Sequence, residues 1–258
     1  MRWRSLAWVC VLATGCTFRQ YVDPNEPVPG KILPATLLRR NFEDMHWKLE
    51  KRVSTGELTR PEKEAYVKTF ADKALKGITL NGIPKAEAWA YADVMRQANR
   101  WEDAYALLKI AVSVATNDDR RVNDTLQLAR VAAHLGKLDE AISLAKSTFD
   151  VAPPGKAPIL FAVLYEIVPE CEKSVAEKDR KTENVVLGQL VESAISESEA
   201  TVVDANSESG KVFLAARNHH LQKAWDKVMK LYTASSRTDL ARAALQKSEA
   251  SFSKSSNL

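Results

Sequence analysis

Cysteine, glycine and strand-like alternation are all scarce in this chain of 258 residues, and each scarcity narrows the fold. Of the three cysteines, Cys10 and Cys16 sit near the N-terminus and only Cys171 lies in the body. The body therefore has no internal disulfide and must be held by its apolar core. Nine glycines and few alternating apolar–polar runs leave little material for hairpins and sheets. Alanine, leucine, glutamate and lysine are abundant instead, as helical domains require. Long apolar runs are missing too. Ser5 to Ala13 would span about 14 Å as a helix, against about 30 Å of hydrocarbon core, and no other stretch comes closer. Charge of one sign is also lacking: 37 Lys and Arg against 33 Asp and Glu give +4. That balance gives no argument for nucleic acid as a partner.

Catalytic signatures are absent as well. There is no H-E-x-x-H, no G-x-S-x-G and no phosphate loop ending in G-K-[ST]. His219 and His220 are adjacent, so on a helix they point about 100° apart and cannot chelate one ion together. One is expected to face the core and the other solvent. Glu170-Cys171-Glu172 has no histidine at usable spacing, and Cys171 reads as a partly buried helix residue after Pro169. No metal, cofactor or enzymatic activity is expected. Glu192-Ser193 resembles the Glu-Ser pair of lytic transglycosylases, but their Gly-Leu-Met-Gln-type segment does not follow. Ser196 to Glu199 reads as a solvated face. A glycan-cleaving enzyme of the envelope stays as an alternative on that pair alone.

The N-terminus carries an address. Met1-Arg2-Trp3-Arg4 is basic, Ser5 to Ala13 is apolar, and small residues lead through Ala13-Thr14-Gly15 to Cys16. This pattern resembles a bacterial lipoprotein signal, which implies removal of residues 1–15 and a lipid anchor on Cys16. Loss of Arg2 and Arg4 lowers the formal charge from +4 to +2. Ala13 stands where leucine is commoner in that family. An ordinary secretory signal with cleavage after Ala13-x-Gly15 is the alternative. Thr17, where aspartate marks inner-membrane retention in some bacteria, directs the expectation to the outer membrane. Residues 16–34 hold Pro24, Pro27, Pro29, Gly30 and Pro34 and read as a semi-rigid tether.

From Ala35 onward the periodicity is helical. Leu37, Leu38, Phe42, Met45, Leu49 and Val53 form one stripe, and Tyr66, Phe70, Ala74 and Leu75 a second. Thr59 before Pro61 and Glu62 reads as a cap and first turn, and Gly56 and Gly77 as stops. Residues 85–116 and 122–153 then match one another. Ala88, Tyr91, Ala92 and Met95 correspond to Thr125, Leu128, Ala129 and Ala132. Asn99 and Gly136 stand at the turns, Trp101 and Leu138 follow, and Ala104 and Ala141 come three residues later. The second unit, Leu135-Gly136-Lys137-Leu138-Asp139-Glu140-Ala141-Ile142 with Pro153, resembles the tetratricopeptide repeat most closely. The first lacks the turn glycine and the terminal proline. Ala104 and Ala141 lie 37 residues apart where the family repeats every 34. The loop near Asn117-Asp118-Asp119 is expected to hold the extra residues.

Two such units cannot bury their faces alone. The expectation is an all-α stack of antiparallel hairpins, a TPR-like α-solenoid, over residues 35–153. Residues 154–258 continue it with further helices: an all-round apolar segment at Pro158–Val168, stripes through Val186–Ile195, Val212–Leu231 and Leu240–Lys247, and a frayed end from Ser251.

The resemblance also implies a groove lined by the first helix of each unit. Ala86, Trp89, Asp93, Arg96 and Gln97 would line it in the first unit, and Asn123, Leu126, Arg130 and His134 in the second. Tetratricopeptide domains that clamp a C-terminal carboxylate use lysine and asparagine where Trp89, Asp93 and Leu126 stand here. The expected partner is a protein or peptide, in a scaffold or assembly role at the membrane. A self-associating module whose groove is filled by its own copy is the alternative.

Overall fold

The computed structural model describes residues 29–149, 158–176, 179–204 and 206–255. The signal segment, Cys16, most of the proline-rich arm, Pro153 and residues 256–258 lie outside them. The described elements are all helical. They are α1 (Ala35–Ser54), α2 (Arg60–Leu75), short 3-10 turns at Leu80–Gly82 and Lys85–Glu87, α3 (Ala88–Gln97), α4 (Trp101–Ser113), α5 (Asp118–His134) and α6 (Leu138–Ser147). There follow α7 (Pro158–Ala162), a π-helical turn at Val163–Ile167, α8 (Val168–Ser174), α9 (Arg180–Ala200), α10 (Glu208–Ala234) and α11 (Thr238–Ser255).

Sequence chemistry sets the helix ends. Thr59 caps α2 reciprocally: its hydroxyl accepts from the Glu62 N–H, and the Glu62 carboxylate accepts from the Thr59 N–H. Asn117 caps α5 by accepting from the Arg120 N–H. Four hairpin turns share one geometry. After α1, α3, α5 and α10 the chain passes through a left-handed residue, respectively Gly56, Asn99, Gly136 and Ser236. At each, the N–H of the left-handed residue bonds three residues back and the next N–H five back, as in Asn99 to Arg96 and Arg100 to Met95. The paired bonds satisfy carbonyls that the helix end leaves open. The α10–α11 turn at Ser236 is a hairpin of this kind that the sequence pattern did not announce.

Helices pack mainly on their chain neighbours: α3 on α4, α4 on α5, α5 on α6, α9 on α10 and α10 on α11. Helix α5 also bears on the π-helical turn and α8. The buried core falls into two main clusters that meet in α5. Leu128 and Val131 face the cluster built with α1 to α4, while Leu126, Ala129 and Ala132 join the one built with α6 to α11. The core is thus continuous across residue 154. In α9, Gly188 admits the Tyr232 ring of α10, because a Cβ there would lie 2.4 Å from Cε1.

Some faces differ from the periodic expectation. Leu37 and Tyr66 are exposed; α2 buries the expected Ala74 and Leu75 and, beside them, Val67 and Ala71. Phe161 is exposed although its helical neighbours Leu160, Ala162 and Val163 are buried. Helix α11 continues past Ser251, with Phe252 packed on the core. The end of the proline-rich arm is held on the domain. The Gly30 N–H donates to the Lys76 carbonyl at 2.6 Å, and the Leu33 N–H donates to the Tyr91 hydroxyl at 2.7 Å.

The shared turn makes a stability prediction. A Cβ at Gly136 meets nothing within 4 Å, so Gly136→Ala should cost about 1 kcal/mol in urea unfolding, from backbone strain alone. Ser236→Gly should raise stability by about 0.5–1 kcal/mol, because it relieves the same strain. Equal signs for the two substitutions would contradict this account of the turn.

Candidate functional site

The groove is built from the first helices of successive hairpins. On α1, Arg39, Glu43 and His46 follow at spacings of four and three. On α3, Trp89, Asp93, Arg96 and Gln97 do the same, and on α5, Asn123, Gln127 and Arg130. These spacings place each set on one helical face. They line one cavity of about 380 Å³, with Leu38, Phe42 and Leu108 as apolar lining and Glu166 of the π-helical turn opposite Arg130. Trp89, Asp93, Arg96, Gln97, Asn123 and Arg130 therefore converge. His134 lines an adjoining, wider cavity of about 990 Å³ that shares His46, Arg96, Gln97 and Arg130 with the first.

Two of the expected lining residues stand elsewhere. Ala86 is exposed in the Lys85–Glu87 turn, outside the cavity. Leu126 is buried in the core, because α5 packs on helices at both sides and leaves only a narrow groove face. The repeat pattern places none of residues 39, 43, 46, 127, 166 and 170 in the groove, and Glu170 was weighed only with Cys171 and Glu172 as a metal site. Gln127 had a signal: it lies four residues after Asn123 and three before Arg130.

Ion pairs and hydrogen bonds fix the groove side chains. Asp93 accepts from Arg96 and, at 2.7 Å, from Gln97 Nε2. Gln97 Oε1 meets His46 Nε2 at 2.9 Å, which ties α3 to α1. Arg39 and Glu43 pair at 2.5 Å. Arg120 lies 4.2 Å over the Trp89 ring and donates to Asp124 at 3.0 Å, linking α3 to α5. Burial pushes the Asp124 carboxyl up, with Arg120 acting against that shift. Glu166 accepts from Gln127 at 3.2 Å and faces Arg130 Nη1 at 3.5 Å. Arg130 Nε is buried and has no hydrogen-bond partner among the described residues. Burial, then the neighbouring Arg96 charge, lowers the Arg130 pKa, against the pull of Glu166, Glu170 and Asp93.

At the far end, the His134 ring stacks on Trp101 with centroids 3.6 Å apart and planes 17° from parallel. His134 Nδ1 lies 2.9 Å from Glu170, which also accepts from Lys173 at 2.9 Å. Burial pushes the Glu170 carboxyl up, but bonds from His134 and Lys173, with their charges, outweigh it and hold the carboxyl below its ordinary value.

Residues with chemical potential elsewhere are tied into the fold. The Glu192 carboxylate accepts from the Tyr232 hydroxyl at 3.1 Å and from Lys247 Nζ at 2.6 Å, joining α9 to α10 and α11. The Ser193 hydroxyl donates to the Gln189 carbonyl. Cys171 is fully buried, and burial pushes its thiol up to about 12, which removes the reactive thiolate. His219 is exposed, and half-buried His220 meets the Tyr165 hydroxyl at 3.1 Å. Among the described residues no group of His, Cys, Asp and Glu is placed to hold a metal ion. No family model and no curated protein matches the chain.

The Glu170 arrangement gives a pH prediction. A depressed carboxyl stabilises the fold above its unfolded pKa and loses that contribution as pH falls through the folded value. His134→Phe keeps a ring on Trp101 but removes the partner of Glu170. Carbon-detected NMR titration should then show the Glu170 carboxyl moving up toward its ordinary value. An unchanged titration would show that His134 has no part in holding it down.

Proposed function

We propose that this chain is a membrane-anchored lipoprotein of the bacterial envelope. Its helical body, a TPR-like stack of antiparallel hairpins in an α-solenoid, acts as a protein-binding scaffold or assembly factor. The observation that carries this reading is convergence: six residues chosen by repeat position line one cavity. The four hairpin turns of one geometry support the repeat reading. A concave surface with a tryptophan and several arginines matches the composition of binding hot spots. Its volume lies within the range of roughly 300–1,000 Å³ that pockets for small groups occupy, which suits one or two side chains of a partner.

Among the described residues no helix is long and apolar enough to cross a membrane. Attachment through lipid on Cys16 is the proposed link, on the periplasmic side of the outer membrane. Two or more acyl chains, at about 0.8 kcal/mol per buried methylene, suffice to anchor a protein.

Affinity capture from detergent-solubilised membranes tests the groove. The wild-type chain should retain a partner that Trp89→Ala and Arg130→Ala both lose while keeping wild-type circular dichroism. Unchanged capture by both variants overturns the groove reading. Labelled fatty acid tests the anchor: the wild type should take up label and Cys16→Ser should not. Label and membrane retention in Cys16→Ser would exclude lipidation at that residue.

A further inference from the structure

The groove's charges are already spoken for. Each carboxylate that lines the first cavity has its own cation: Glu43 has Arg39, Asp93 has Arg96, Asp124 has Arg120 and Glu166 has Arg130. The face is therefore neutral by pairs. An arriving carboxylate would have to break a pair or sit among four carboxylates, and it would lose its hydration as well. An arriving cation meets the same obstacle with the sign reversed.

Arg130 is the exception to this satisfaction. Its contact with Glu166 is long, at 3.5 Å, and its Nε is buried with no acceptor among the described residues. A half-buried guanidinium with five donors and one distant partner is under-supplied with acceptors. Arg130 lines both cavities, so it stands where they join. Leu38, Phe42 and Trp89 line the first of these two cavities and not the second. The amides of Gln97, Asn123 and Gln127 line the first cavity as well.

We infer that the groove takes an uncharged, extended segment of a partner polypeptide. An apolar side chain enters beside Leu38, Phe42 and Trp89, and a main-chain carbonyl accepts from the part of the Arg130 guanidinium that lines the cavity, Nε itself being sealed from it. A carbonyl adds no net charge to a neutral face, and an extended chain offers one at every residue. The amides can meet further main-chain groups, since each carries both donors and an acceptor. No free C-terminus is needed. This inference rests on the groove reading and names the chemistry of the partner that the groove accepts.

A displayed library of random peptides, selected on the intact chain, tests it. The enriched peptides should carry an internal aromatic or aliphatic residue flanked by uncharged residues. They should bind equally as C-terminal amides and free acids in fluorescence anisotropy. Their Kd should change less than about threefold between 50 and 500 mM salt, because screening acts on charges. Arg130→Met keeps the apolar stem and removes the donors, so it should weaken binding about tenfold or more. Because Arg130→Met also leaves Glu166 without its cation, the double variant Arg130→Met with Glu166→Gln, which removes both charges of the pair, should show the same loss of binding while keeping the wild-type thermal midpoint. Enrichment of acidic peptides that bind salt-dependently and are lost in Trp89→Ala overturns this inference and leaves the groove reading standing. Wild-type affinity in Arg130→Met also overturns it. If peptides are retained equally by wild type and Trp89→Ala, or not at all, both this inference and the groove reading fail.

Discussion

The arrangement depends on how closely the helices of α3 to α6 approach one another. Ala92 and Ala104 lie in one core cluster, and Ala129, Ala141 and Ala145 in the other, each almost fully buried. A methyl group at such positions lets axes come to the short end of the usual 8–10 Å range. A leucine there would have to push the axes apart or leave its rotamer well. Close axes bring α1, α3 and α5 near enough for their next faces to share one cavity. The hairpin turns act on the same constraint. A left-handed residue with its two backward bonds reverses the chain within a few residues, so each second helix returns directly onto the first.

Groove chemistry follows from that geometry. Cross-helix ties run from His46 to Gln97, from Arg120 to Trp89, and from Arg130 to Glu166. They join α1 to α3, α3 to α5, and α5 to the π-helical turn. Their consequence here is positional: each carboxylate is oriented by a partner, and the face shows neutral amide and aromatic surface. The stack of His134 on Trp101 closes the far end across the α3–α4 turn.

Much of this was legible in the chain. The turn positions of Asn99 and Gly136, the Thr59 cap and the small residues at 92, 104, 129 and 141 all carry local signals, because backbone strain and close packing restrict residue type at single sites. Six groove residues were legible for the same reason, since repeat position fixes the helical face. The α1 contribution was not. Arg39, Glu43 and His46 belong to a helix without repeat signature, and their shared face becomes meaningful only once α1 lies beside α3. Glu166 sat in a segment that reads as apolar core and Glu170 just beyond it, beside Cys171, and their role arises from where α5 meets them. Leu126 was misplaced because burial of α5 from two sides is a tertiary fact. The Ser236 hairpin lacked the glycine that marks Gly56 and Gly136.

The central claim is that the concave face of α1, α3 and α5 is where this chain meets another. Photo-cross-linking in intact cells tests it directly, with a photoreactive residue placed at Gln97 or at exposed Lys146 of α6, which lines neither cavity. The account predicts an adduct with a second polypeptide from position 97 and none from 146. An adduct from 146 alone would contradict it.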